Sequence, residues 1–161
     1  MSLTLSRGRE RPRKFLVVVD KTPECHIAVR FATRRAQATG GRVTLLCVAK
    51  PADFQQWRGV EEIMKDEAHQ DAESLIYEAA KTVNELSGIV SELVISEGRS
   101  MDCLMTLLKD DKDISILVLA ASTAKEGPGP LVSMVAGTSQ YPIPVTIVPG
   151  NLTDADIDVL A

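Results

Sequence analysis

The sequence predicts a single α/β domain built on a five-stranded, doubly wound parallel sheet with helices on both faces, and three observations predict it. Short apolar runs rich in β-branched residues recur, above all at residues 15–19 and 114–121, as expected of strands covered on both faces. Between them lie segments whose apolar residues return at three- and four-residue steps, the period of an amphipathic helix. The two kinds of segment alternate five times, which forces a parallel sheet with right-handed crossovers. With 161 residues and 45% apolar content, the chain is long enough for one domain with a real core and too short for two.

The elements follow in order. Residues 1–14 form a basic arm, with Arg7, Arg9, Arg11, Arg13 and Lys14 against Glu10, and with Gly8 and Pro12 interrupting any helix. The domain proper runs over residues 15–150 and opens with the strand 15–19, after which Asp20 is the first polar residue. Thr22 is placed to cap a helix starting at Pro23, since proline lacks only an amide hydrogen that is unpaired in a first turn. Ile27, Phe31 and Ala32 share one face of that helix, Gly40-Gly41 ends it, and residues 42–49 form the second strand. Pro51 breaks the chain before a long amphipathic helix that runs from Val60 to Leu86 and is closed by Gly88. Residues 89–95 read as the third strand, Ser100 as the cap of a helix reaching Lys109, and residues 110–113 as a solvated turn.

The fourth strand, residues 114–121, opens into a polar loop of small residues, Ser122-Thr123-Ala124-Lys125-Glu126-Gly127, and the chain later reaches Gly137-Thr138-Ser139. A loop of small residues lets backbone approach a ligand closely, and this one points to a phosphate site. A short helical stretch around residues 131–139 follows. The last strand spans residues 143–148, and its Pro144 cannot donate to a ladder and places it at a sheet edge. Residues 151–161 form an acidic tail with one or two helical turns, its acids near the N-terminus where the helix dipole favours them. In a doubly wound sheet the ligand crevice lies beyond the carboxyl ends of the strands, where the strand order reverses, so Asp20 and the loop at 121–127 should both sit there.

Composition narrows the function. A net charge of −4 argues against sequence-independent binding of nucleic acid by the whole chain, which needs clustered cations. No apolar run approaches the roughly 20 residues needed to cross a bilayer, and no signal-peptide core follows the arginines, so a cytoplasmic protein is expected. Cys25, Cys47 and Cys103 form no Cys-x-x-Cys pair and read as small buried hydrophobes. His26 and His69 have no ligand-spaced partner and read as surface residues, so no metal site is expected.

At this point the residues carry a resemblance. A strand ending in Asp20, a second strand reading Leu45-Leu46-Cys47-Val48, a glycine turn after strand three, and a strand-loop-helix with Gly127, nine intervening residues and then Gly137-Thr138 together resemble the universal stress protein family. The resemblance spans about residues 15–149. It implies a Rossmann-like fold similar to other adenine-nucleotide-binding α/β domains, and a stress-linked regulator that binds ATP or a related adenine nucleotide. In nucleotide-binding members of that family the loop carries Gly, two residues, Gly, nine residues, then Gly and Ser or Thr. Carried over, the resemblance puts Asp20 at the adenine or ribose end, the backbone of Val48 at the adenine edge, and Gly127, Gly137 and Thr138 on the phosphates. Ala121 and Ser139 stand beside them. Lys125 is the one cation between Asp113 and the C-terminus and so the one candidate there for a cationic phosphate contact, the other reading being a solvated loop lysine. Mg²⁺ would balance a triphosphate. The family also implies a homodimer through the last strand.

The departures are equally plain: Ala124 stands where the first motif glycine belongs, and Pro128-Gly129-Pro130 stiffens the loop. If position 124 requires a positive φ, its methyl costs on the order of 1 kcal/mol. Two readings therefore stay open, a nucleotide-binding regulator and a nucleotide-free dimeric scaffold with a degenerate phosphate loop. A hydrolase reading of Ala120-Ala121-Ser122-Thr123-Ala124 fails because both histidines precede Ser122, whereas that fold places its histidine after the serine. No Gly-x-x-x-x-Gly-Lys-Ser/Thr motif is present for a P-loop kinase.

Overall fold

The structure is a computed structural model and describes residues 12–49, 58–137 and 141–161. Strands β1 (Lys14–Val19), β2 (Arg42–Ala49), β3 (Glu92–Glu97), β4 (Ile114–Ala121) and β5 (Val145–Pro149) form one parallel sheet in the order β3-β2-β1-β4-β5. Helices α1 (Cys25–Thr39), α2 (Arg58–Ser87), α3 (Ser100–Asp110), α4 (Pro130–Ala136) and α5 (Asp154–Leu160) complete the chain. The predicted five-stranded doubly wound sheet is the observed one. Arg7, Arg9 and Arg11 of the arm lie outside the described residues.

Both faces of the sheet are covered because β1 is apolar on both. Phe15, Val17 and Val19 pack with α1, α2 and Ile157 of α5, while Leu16 and Val18 pack with Leu104 and Leu108 of α3 and Val132 and Val135 of α4. All six residues of β1 are buried. Burying a side chain of this size contributes roughly 1.5–3 kcal/mol, so this strand is the spine of the domain.

Lys14 belongs with the strand and not with the arm. Its side chain, 5% exposed, bonds Asp111 at 2.6 Å and Glu92 at 2.7 Å.

Several element boundaries move from their predicted places, each for a local reason. Thr22 does not cap α1: its hydroxyl donates to the Asp20 carboxylate, its amide donates to the same oxygen at 3.0 Å, and α1 starts at Cys25. Ser100 is the first residue of α3, and Arg99 before it is the cap position with no side-chain hydrogen bond. The third strand begins at Glu92 instead of residue 89 because the preceding residues close α2. Gly88 adopts φ +76°, the Ser87 hydroxyl accepts the Ile89 amide at 3.2 Å, and Val90 is 85% exposed. The last strand starts after Pro144, whose carbonyl accepts the Leu117 amide at 3.1 Å. The helical stretch predicted around 131–139 is the seven residues of α4.

The acidic tail forms α5, opened by a reciprocal cap: the Thr153 hydroxyl accepts the Asp156 amide at 3.1 Å and the Asp156 carboxylate accepts the Thr153 amide at 3.0 Å. It packs on α1 and not over the edge of β5. Ile157 is fully buried there, and Arg30 and Arg34 both bond Asp158, at 2.8–3.0 Å. Among the described residues no helix is long and apolar enough to cross a membrane.

Candidate functional site

The strand order reverses between β1 and β4, so the ends of β1 and its neighbours are where a doubly wound sheet leaves room for a ligand. A cavity of about 340 Å³ opens there, but on the β2 side of β1. Its floor is the ends of the two strands, Val18, Val19 and Asp20 against Cys47, Val48 and Ala49. One wall is the stripe Ala68, Asp71, Ala72 and Leu75 of α2; the other is Ser100 with Pro130, Leu131 and Met134 of α4. The small residues of α2 make the space. An alanine at 68 and at 72, one turn apart on one face, leaves a gap that a larger side chain would fill.

The lining is mostly apolar, with its charge on Asp20 and Lys21 at the end of β1 and on Asp71 of α2. Asp20 is held by the turn it makes with Thr22. Lys21, beside it, reaches Asp71 of α2 at 3.4 Å, both groups being exposed. Lys21 is the one lysine or arginine among the described residues that line the cavity. Two thiols lie close by. Burial pushes the Cys25 thiol up to about 11, and burial together with the Asp20 charge raises that of Cys47, so both stay protonated near neutral pH and neither is an activated nucleophile. Among the described residues no three His, Cys, Asp or Glu side chains are grouped to hold a metal ion.

Of the residues that the sequence singled out, the structure brings Asp20 and Val48 together in this cavity. Ala121, Ala124, Lys125, Gly127 and Gly137 do not line it. The β4–α4 loop is closed on itself instead. The Ser122 amide donates to the Pro128 carbonyl at 2.9 Å, the Ala124 amide to the Ser122 hydroxyl at 3.1 Å, and the Gly127 amide to the Ala124 carbonyl at 3.2 Å. Gly137 caps α4 with its amide on the Ser133 carbonyl at 3.1 Å. Ala121 ends β4 opposite Pro149, and its carbonyl lies where a Cβ on Gly150 would have to go. Lys125 is exposed on the loop. Thr138 and Ser139 lie outside the described residues.

Ala124 carries no backbone strain, since among the described residues every positive φ belongs to a glycine. The glycines that absorb the turn are Gly127, at φ +117°, and Gly129, at φ +101°. What the sequence reading missed is the contribution of α2 and of Lys21. Ala68, Ala72 and Leu75 were legible as a helix face, but nothing local told a packed face from one that borders a cavity.

The comparisons with known proteins agree with this fold. A universal stress protein UspA from Lactobacillus plantarum is similar in structure at 21% identity, with a TM-score of 0.73, over 86% of this chain and 98% of its own. A universal stress protein from Archaeoglobus fulgidus solved with dAMP is similar at 17% identity, with a TM-score of 0.63, over 86% of this chain and 98% of that one. A universal stress protein family protein from Arabidopsis thaliana with AMP bound follows at 16% identity and a TM-score of 0.59, over 90% and 99%. No curated protein matches the chain in sequence. The family model described as the universal stress protein family matches residues 12–149, which takes in every strand of the sheet and the whole cavity lining. The chain belongs to the universal stress protein family.

Proposed function

We propose that this chain binds an adenine nucleotide or nucleoside in the cavity between β1 and β2 and acts as a stress-linked regulator through that ligand. The observation that carries the reading is the cavity itself. It holds about 340 Å³, the lower part of the roughly 300–1,000 Å³ range of small-molecule sites, and it joins an apolar slot to the carboxylate of Asp20 at the end of β1, with Lys21 and Asp71 beside it. A flat heteroaromatic base suits the slot formed by Val48, Ala72 and Leu75. The ribose hydroxyls suit Asp20, which as a carboxylate accepts two such bonds. Similar structures that hold AMP and dAMP support the choice of an adenine ring.

The described residues do not fit a magnesium triphosphate. The amides of Ser122, Ala124 and Gly127 are bonded within the loop, and Pro128 and Pro130 have no amide hydrogen to offer. No role is assigned to Mg²⁺.

The sheet ends at β5, which pairs only with β4 among the described residues, and its Ile147 is 43% exposed. An unpaired edge of this kind invites a second copy, and we take a two-fold homodimer through β5 as part of the same reading.

Titration calorimetry with AMP tests the site. Asp20→Ala should weaken AMP by tenfold or more, about 1.4 kcal/mol, while circular dichroism shows the fold intact. An unchanged affinity in that variant would remove Asp20 from the site.

A further inference from the structure

We infer that the cavity discriminates by phosphate number, taking an adenine nucleoside or nucleoside monophosphate in preference to the triphosphate, with Lys21 meeting the single phosphate. The inference rests on the adenine reading above and adds a ligand class and a specificity-determining residue to it.

A polyphosphate leaving the cavity toward the point where the strand order reverses must pass between β1 and the start of α4. That crevice is nearly closed. Bounded by Asp20, Thr22, Glu24, Pro128, Gly129 and Pro130 among others, it holds about 20 Å³, room for about one water molecule. It adjoins the larger cavity, since Val18, Asp20, Pro130 and Leu131 border both. Its walls are also unsuited to an anion. Asp20 and Glu24 both line it, and a Cβ built on Gly129 would sit 3.6 Å from Glu24 Oε1. Two of the three residues in Pro128-Gly129-Pro130 lack an amide hydrogen, and the amides of Ser122, Ala124 and Gly127 are already bonded within the loop.

Electrostatics points the phosphate the other way. Lys21 is the one cation lining the cavity among the described residues, and its present partner, Asp71 at 3.4 Å, is an exposed carboxylate. Such a pair is worth little, so a phosphate dianion can take the ammonium from it. Among the described residues this one lysine offsets about half the charge of a monophosphate dianion and leaves most of a triphosphate's charge uncompensated beside Asp20 and Asp71.

Calorimetric titration of the full chain with adenosine, AMP and ATP, the last with and without magnesium, reads the order directly. AMP should bind most tightly and ATP at least ~tenfold more weakly than AMP. Lys21→Met should narrow the difference between AMP and adenosine, and Glu24→Gln should raise the ATP affinity by lifting one like charge from the crevice. ATP binding as tightly as AMP, or more tightly, would overturn the preference while leaving the adenine reading standing. An unchanged AMP-to-adenosine ratio in Lys21→Met would overturn the role of Lys21. Absence of binding by all three ligands would remove the adenine reading and this preference with it.

Discussion

Lys14 Nζ lies 2.6 Å from an Asp111 carboxylate oxygen, a bond that spans 97 positions of the chain and ties the first residue of β1 to the turn that feeds β4. The same ammonium reaches Glu92 of β3 at 2.7 Å. One buried cation thus pins three strands at the end of the sheet opposite the cavity, and Arg42 adds a weaker contact to Glu92 at 3.4 Å. Burial works against the Lys14 charge, but its bonds to Asp111 and Glu92 prevail and raise its pKa above 10.5.

Replacing Lys14 by methionine should therefore lower stability by about 1–3 kcal/mol, the cost of leaving a part-buried carboxylate without its partner. The pH dependence has a definite sign. A group whose folded pKa is raised stabilises fully below its unfolded value of 10.5 and loses that contribution as pH rises through the folded value. Urea unfolding from pH 7 to 11.5 should show the gap between the wild type and Lys14→Met closing at the alkaline end.

The opposite sign holds at α5. Hydrogen bonds from Arg30, and then from Arg34, pull Asp158 down to about 2. Its stabilisation is present above the ordinary carboxylate range and is lost as pH falls through the folded value. Asp158→Asn should melt below the wild type at pH 7, with the two melting curves converging as pH falls from about 4 toward 2. Amide exchange should locate the loosening in α5, where Ile157 is the buried anchor.

Ala124→Gly should bring no gain in nucleotide affinity. Ala124 is exposed and not in the positive-φ region, so its methyl relieves nothing on removal. The variant should instead lose about 0.4–1 kcal/mol because glycine frees the unfolded chain. Paired thermal melts and AMP titrations check both halves, and a gain in affinity would show that the loop binds in another conformation.

The β5 edge is tested by Ile147→Lys, since Ile147 is 43% exposed and its replacement spares the core. Light scattering at micromolar concentration should give a dimer for the wild type and a monomer for the variant. A wild-type monomer would leave the edge without a partner copy.

The sequence by itself determined the architecture. Residues 42–49 and 114–121 were legible as strands and the long helix as far as Leu86, because apolar runs and three- to four-residue periods are local properties and the covered parallel sheet follows from their alternation. It also determined that Asp20 and Val48 stand at strand ends, and the cavity is lined by both. Only the tertiary structure decided where the open space lies. The loop after β4 is rich in small residues, yet three of its amides, those of Ser122, Ala124 and Gly127, are taken up within it, the first by the returning Pro128 carbonyl, whereas the room comes from two alanines of α2, an element distant in sequence from β1. Lys14 shows the same limit, for its charge reads as part of a basic arm until partners 78 and 97 positions away bury it. Pattern along a chain reports which way a side chain faces, and the fold alone settles what it meets there.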